Sequence, residues 1–280
     1  MSGELTGATF GAIRALRVFI TEYPVSRIFF IRDAGKPAFR TDILGTYKGS
    51  RGEDDDGFYE EYLAQIKSCH KILTHLGLHV LYAPRYEADD VMGALAQSYA
   101  DIHQSSIIYS CDKDMIQCSG WSNHISVYRP SSDEWHHSCP PWYVLQRAIV
   151  GDTSDEISGV KGVGDVYAER VIRAIRDVGW SGMDVQDFYS LLKEHYGDVK
   201  KPAYFPKVVS QIQTIRNNMI LMDLQYHKSQ DCKNHYRFLK GIANRARFDH
   251  VCRKLQYREF LQKMDMYFRP FSQVGVDDVR

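Results

Sequence analysis

Four short clusters of carboxylates, each set just beyond an apolar segment, constrain this chain more than any other feature. Asp33 follows the run at 27–31. Glu87, Asp89 and Asp90 follow the run at 78–82 across a short turn. Asp112 and Asp114 follow the run at 106–109, and Asp152 and Asp155 follow a helical stretch at 141–150. The short runs have strand length, as does 125–128. They alternate with stretches of helical periodicity at 8–23, 57–76 and 87–98. Such alternation predicts an α/β fold in which helices cover a parallel sheet. The C-terminal ends of the strands then share one edge, where ligands bind. Three of the clusters are expected to meet there.

Carboxylates brought that close repel one another and need protons or cations. Oxygen donors without His or Cys point to Mg²⁺ or Mn²⁺. A cluster this rich points to two ions, about 3.5–4 Å apart. Singly, each motif has an ordinary reading: Asp-x-Asp is common in turns, and Glu87 to Asp90 suits a helix start. The reading rests on all four in order.

The 280 residues, 44% of them hydrophobic, suffice for one large α/β domain or a core with an appendage. Formal net charge is zero, which a carboxylate metal site combined with a phosphate-binding surface would give. No apolar run reaches membrane-spanning length, and residues 1–11 lack a signal-peptide plan. The scattered Cys69, Cys111, Cys118, Cys139, Cys232 and Cys252 form no Cys-x-x-Cys pair, and His136, His137 and Cys139 read as an ordinary loop. A reducing, cytoplasmic setting follows. The acidic run 53–56 reads as a solvated loop. Beyond 141 the pattern turns helical, with a glycine-rich break at 159–164, a helix at 208–224 and an amphipathic tail at 248–268 that packs back on the body.

These motifs, in this order, resemble the 5′ nuclease family, above all its phage and bacterial polymerase-linked branch. The likeness runs from Gly7–Gly11 through Asp33–Arg40, Tyr47–Arg51, Tyr86–Val91, Asp112–Asp114, Val150–Asp155 and Gly159–Gly164 to Arg216–Asn218 and Leu221–Leu224. It implies a PIN-like parallel-sheet core over 1–140, with a helical arch at about 40–76. It also implies a mainly helical part over 141–280, with a helix–three-turn–helix DNA-binding element at about 152–178. By position, Asp33, Glu87, Asp89 and Asp112 would serve a first metal, and Asp112, Asp114, Asp152 and Asp155 a second. Asp90 is acidic in only some branches. Lys48 and Arg51 would grip the scissile phosphate. Two readings of Tyr47 stay open, stacking on a terminal base or filling the core. Arg40 is grouped with the DNA-binding residues. So are Gly159, Val160, Lys161, Gly162, Val163 and Gly164, whose backbone would approach duplex phosphates and hold K⁺; an ordinary helix connection is the other reading of that segment.

The departures matter too. The family opens on a central strand ending in Asp, whereas here Met1 falls just before the first helix. An incomplete chain, or a strand supplied in trans, is favoured over a natural variant, because losing a central strand uncovers its neighbours. Glu156 and Ser158 replace residues that are often Asn and Pro, a change expected to matter little.

The implied function is a structure-selective 5′–3′ exonuclease and flap endonuclease of replication or repair. Its partners would be branched, nicked or flapped DNA and RNA–DNA hybrid, with a replication polymerase or single-strand-binding protein nearby. It would be monomeric, and if phage-encoded would act in the bacterial cytoplasm. One alternative is a DNA-junction binding protein with weakened catalysis, owing to the missing Asp. Another, an RNA-directed PIN-type nuclease, is disfavoured by the glycine-rich element.

Overall fold

The computed structural model describes residues 7–34, 38–45, 47–48, 58–181, 185–196, 204–225 and 229–274. In chain order the elements are α1 (Gly7–Glu22), β1 (Phe29–Ile31), α2 (Ala38–Ile43), α3 (Phe58–His75), β2 (His79–Tyr82), α4 (Ala88–Ala100) and β3 (Ser106–Tyr109). A 3-10 turn, Asp114–Gly120, leads into β4 (Ile125–Arg129) and β5 (Glu134–His136). Next come α5 (Tyr143–Val150), β6 (Gly151–Asp152), β7 (Ile157–Ser158), α6 (Asp165–Asp177), α7 (Val185–Tyr196), α8 (Tyr204–Ser210), α9 (Ile212–Met222) and α10 (Ser229–Cys232). The last elements are β8 (Arg237–Leu239), α11 (Arg245–Lys254), α12 (Arg258–Gln262) and α13 (Met264–Ser272).

The described residues fall into two compact units, one drawn from 1–34, 50–84 and 235–280, the other from 35–49 and 85–234. This division differs from the expected sequential boundary at 140. The amphipathic tail returns to the unit of the first helix, where apolar surface awaits it. There α13 packs on α1 and α11 on α3. Phe10 stacks on Phe260 with ring centroids 4.8 Å apart, and Phe260 meets Tyr267 at 4.4 Å. Tyr267 in turn donates to Glu259 and carries the Arg17 guanidinium over its ring.

In this first unit β1 pairs in parallel with β2, Phe30 opposite Val80, and β8 pairs antiparallel with the other side of β2. Helix α3 packs on β2, and the Phe30 ring lies 5.3 Å from His70. In the second unit β3 and β4 are parallel, Ile108 opposite Val127, and β5 returns antiparallel beside β4. Ile108, Ile125 and Val127 form a core with Met115, Cys118 and Ala96, against α4. A second core gathers Leu145, Ile149, Ile172, Phe188, Val208 and Ile215 from α5 to α9.

The expected α/β arrangement with parallel strands holds in the pairs β1–β2 and β3–β4; among the described residues each pair belongs to its own three-stranded sheet ending on an antiparallel strand, and β6 and β7 form a two-stranded one. The two added strands are three residues long and at sheet edges, too short for a periodic apolar signal. The helix expected at 208–224 is interrupted between Ser210 and Ile212, and the tail at 248–268 is divided among α11, α12 and α13. Gln256, with φ 56°, adopts a left-handed conformation just past the end of α11. The arch expected at about 40–76 falls partly outside the described residues, at 46 and 49–57. Among the described residues no helix is long and apolar enough to cross a membrane.

The first unit carries neutral histidines. Burial, helped by the Arg32 charge, lowers the His70 pKa to about 4. Burial also lowers His75, together with Arg247, and His79, together with Lys240 and Arg27. Above about pH 6.5 these groups are neutral in both folded and unfolded chains. Below that, the unfolded chain takes up protons that the fold excludes, so stability falls as pH drops towards 4. Melting temperatures measured between pH 7 and 4 should therefore decline less steeply for His70→Gln than for the parent; parallel curves would contradict this account.

Candidate active site

The second unit builds an acidic pocket from its helix ends. Glu87 is the N-cap of α4 and Asp90 its third residue. The Glu87 side chain accepts from the backbone at Asp90, while Asp90 Oδ2 accepts from the Glu87 N–H at 3.0 Å. This reciprocal capping fixes both carboxylates at the positive end of the helix.

Arg40 locks the same pair from behind. Its Nη1 donates to Glu87 Oε2 at 2.6 Å and to Asp90 Oδ2 at 2.9 Å, and its Nη2 to Asp90 Oδ1 at 2.8 Å. Its Nε donates to the Leu221 carbonyl at 3.0 Å, in the last turn of α9, where helix carbonyls lack intrahelical partners. Burial disfavours its charge, yet the hydrogen bonds and charge of Asp90, then the charge of Glu87, hold its pKa above the ordinary value. Arg40 is 2% exposed, which corrects its grouping with DNA-facing residues: its fork is turned inward. Asp90 engages both oxygens with Arg40 and lies equally deep.

Tyr47 and Lys48 approach Glu87 from the other side. The Tyr47 hydroxyl donates to Glu87 Oε2 at 3.1 Å and reaches Asp155 Oδ2 at 3.3 Å. Burial, then the Glu87 charge, raises its pKa. Of its two sequence readings, the buried aromatic holds. Lys48 Nζ lies 2.6 Å from Glu87 Oε1 and 3.3 Å from Asp155 Oδ2, on a left-handed backbone with φ 51°. Arg51 lies outside the described residues.

The third cluster is a tight turn in which Asp112 Oδ1 accepts from the Asp114 N–H at 2.8 Å. Helix α5 clamps it. Tyr143 donates to the Lys113 carbonyl at 2.9 Å, and one turn later Arg147 reaches Asp114 Oδ1 at 3.3 Å and Asp152 Oδ2 at 2.5 Å. Burial raises the Asp114 pKa to about 6; Arg147 opposes the shift, and Asp112 and Asp152 add to it. Asp152 moves the other way, because hydrogen bonds from Ser154 and the Arg147 charge outweigh its burial. Asp152 also caps the 3-10 turn Thr153–Asp155, accepting from Ser154 N–H at 2.8 Å.

Two buried amides tie these motifs to α9. Gln117 Nε2 donates to the Asp114 and Met222 carbonyls at 2.9 and 3.0 Å, and its Oε1 accepts from Leu224 N–H at 3.0 Å. Asn218 Nδ2 donates to the carbonyls of Ala148 and Ser158 at 2.9 and 2.8 Å. Sequence reasoning assigns no role to Gln117 or Arg147, since neither belongs to an acidic motif. Asn218 lies within a matched motif, which was its only signal.

Glu87, Asp89, Asp114 and Asp155 therefore line one small pocket with Arg40 and Tyr47. Asp112 and Asp152 join through Asp114 and Arg147. Asp33 belongs to the first unit, exposed beyond the end of β1. The glycine-rich segment 159–164 lines an open groove of about 580 Å³ with Val150 and Ser158. Val160 and Val163 turn their side chains into the core, so they offer the groove backbone alone, while Lys161 is exposed. Gly159 is required where it stands: a Cβ there would lie 2.0 Å from the Val150 carbonyl oxygen.

The repulsion expected among these acids is relieved by the side-chain cations Arg40, Lys48 and Arg147. Among the described residues no three His, Cys, Asp or Glu side chains form a ready metal cage. Charge and donor chemistry nevertheless fit a hard divalent ion. Every donor is oxygen, and the acids outnumber the cations.

Against known proteins, the model of the 5′-3′ exonuclease N-terminal resolvase-like domain matches residues 1–147. The thermostable DNA polymerase I of Thermus thermophilus is 31% identical over 182 residues, covering 61% of this chain and 21% of that protein. The chain thus spans about a fifth of that polymerase. A 5′-3′ exonuclease of Buchnera aphidicola is 27% identical over 221 residues, 76% of this chain and 66% of that protein. Among solved structures, the T5 5′-exonuclease with bound zinc shares the fold, with a TM-score of 0.65 and 18% identity over 91% of this chain and 92% of that one.

Two stability outcomes follow. Arg40→Met, which leaves the buried Asp90 carboxylate without its cation and the Leu221 carbonyl without its donor, should cost roughly 3–5 kcal/mol in urea denaturation. Glu156 sits at φ 61°, a left-handed conformation that suits Asn or Gly better than Glu. Glu156→Gly should gain up to about 1 kcal/mol in the same assay; a loss there would show that the Glu side chain makes a compensating contact.

Proposed function

The chain belongs to the 5′-3′ exonuclease family, N-terminal resolvase-like domain, and from that premise we propose that it is a divalent-metal-dependent 5′ nuclease cutting branched, nicked or flapped DNA. The observation that carries this is the placement of Lys48 and Tyr47 on Glu87 and Asp155, beside a pocket also lined by Asp89 and Asp114. Glu87, Asp89, Asp112, Asp114, Asp152 and Asp155 would hold one or two Mg²⁺ or Mn²⁺ ions. When bound, such ions activate water and neutralise phosphate charge.

The chain's own groups do the rest. Lys48 is a cation placed to change partners: its side chain keeps 18% of its surface exposed, and its carboxylate partners Glu87 and Asp155 line the pocket. A phosphate oxygen competes with Glu87 and Asp155 for that ammonium, forming a charge-assisted hydrogen bond. Arg51, by family position, supports it. Tyr47, its pKa raised by burial and by Glu87, stays a hydrogen-bond donor and orients Glu87 rather than giving up its proton. The groove at 159–164 is the second half of the proposal, as part of a helix–three-turn–helix. Its backbone and the start of α6 would hold duplex phosphates without reading bases, with K⁺ on its carbonyls. RNA–DNA hybrid is a further substrate, and a replication polymerase or single-strand-binding protein a partner.

Cleavage of a labelled 5′-flap DNA in Mg²⁺ tests this. The parent should cut near the junction. Asp114→Asn and Asp155→Ala should each lose at least about a hundredfold in rate. Lys48→Ala should lose about a hundred- to a thousandfold while flap affinity stays within a few-fold. Tight flap binding by the parent without any cleavage would replace the nuclease reading with that of a junction-binding protein.

A further inference from the structure

Among the described residues, Arg147 is the cation of the acidic site that lies outside every motif matched in the sequence, and it joins two of the acidic ones. Its guanidinium spans Asp114 and Asp152, carboxylates that arrive from the turn after β3 and from the end of α5. All three side chains are similarly sheltered, with 18%, 17% and 17% of their surfaces exposed. Tyr143, four residues earlier on the same helix, holds the backbone of the same turn through Lys113. One face of α5 therefore grips both the backbone and the side chain of the Asp112–Asp114 turn. The Ala148 carbonyl at the end of that helix is itself anchored by Asn218.

We propose that Arg147 is a positioning residue, an internal counter-ion that fixes the Asp114 and Asp152 carboxylates relative to each other and competes with divalent cations for them. The inference rests on the metal-dependent reading above. A planar fork suits the task, because it can meet two carboxylates at a set separation where an ammonium offers a point charge. Removing it leaves two sheltered carboxylates facing each other with Asp112 nearby. The metal-free fold then loses stability, and an arriving cation meets more uncompensated charge.

The experiment is Mn²⁺ binding to the full chain without DNA, by calorimetry, for the parent, Arg147→Lys and Arg147→Gln, with melting curves at zero and saturating Mn²⁺. Arg147→Gln should bind Mn²⁺ about tenfold more tightly than the parent. It should melt lower without metal and close that gap as Mn²⁺ is added. Arg147→Lys keeps the charge but loses the fork, so its affinity should fall between those of the parent and Arg147→Gln. A folded Arg147→Gln chain that binds Mn²⁺ no more tightly than the parent, or a Lys variant as altered as the Gln variant, overturns the inference alone. Absence of Mn²⁺ binding by parent and variants alike overturns the metal-dependent reading together with it.

Discussion

The second unit depends on a buried cation. Arg40 reaches from α2 to the N-terminus of α4 and to the C-terminal turn of α9, segments separated by 47 and 181 residues. Each partner it meets would otherwise be costly at that depth: two carboxylates under 10% exposed, and a helix-end carbonyl without an intrahelical donor. The geometry is mutual. Glu87 and Asp90 are already fixed by capping α4, so the fork lands on carboxylates that cannot swing away, and Leu221 fixes its third direction. Buried charge is a poor source of net stability, but it is a strict one, since few other arrangements satisfy every group.

The end of α9 extends this pattern. Arg40 takes the Leu221 carbonyl and Gln117 the Met222 carbonyl, while Asn218, one turn earlier, bonds the end of α5 and the start of the segment at 159. Three acidic motifs are thereby positioned against one helix terminus by hydrogen bonds to backbone atoms. Backbone carbonyls cannot titrate or exchange partners with solvent ions as carboxylates can. The frame of the pocket is therefore held by neutral or permanently charged donors, and only its lining is held by ion pairs.

How much of this was legible in the sequence follows from the range of each interaction. The strands at 106–109 and 125–129 and the helices at 7–22, 58–75 and 88–100 show in local periodicity, because each has one face in a core. The acidic motifs were legible for a different reason: their side-chain types cluster at strand and helix ends. Edge strands β5 and β8 left no trace, since three exposed or half-exposed residues create no alternation. The break between α8 and α9 and the divided tail are likewise set by packing and by single left-handed residues such as Gln256. Arg40 was legible as part of a motif but not in its role, because burial depends on Glu87 and Asp90, far along the chain. Gln117 and Arg147 were missed because a polar residue looks alike in sequence whether it faces solvent, a carbonyl more than a hundred residues away, or a carboxylate from another motif.

The arrangement also explains how so acidic a pocket coexists with an uncharged chain. Lys48 and Arg147 each bridge carboxylates from separate motifs, Glu87 with Asp155 and Asp114 with Asp152. A bridging cation does two things that a surface ion pair does not: it offsets repulsion between its partners, and it transmits the position of one motif to the next. The compensation is uneven. Glu87 and Asp90 are met by a fully buried fork, while burial, then Asp112 and Asp152, keeps the proton affinity of Asp114 raised despite Arg147. The two halves of the pocket are thus held differently, Glu87 and Asp90 by the buried Arg40 fork and the Asp112–Asp114 turn by Tyr143 and Arg147 of α5.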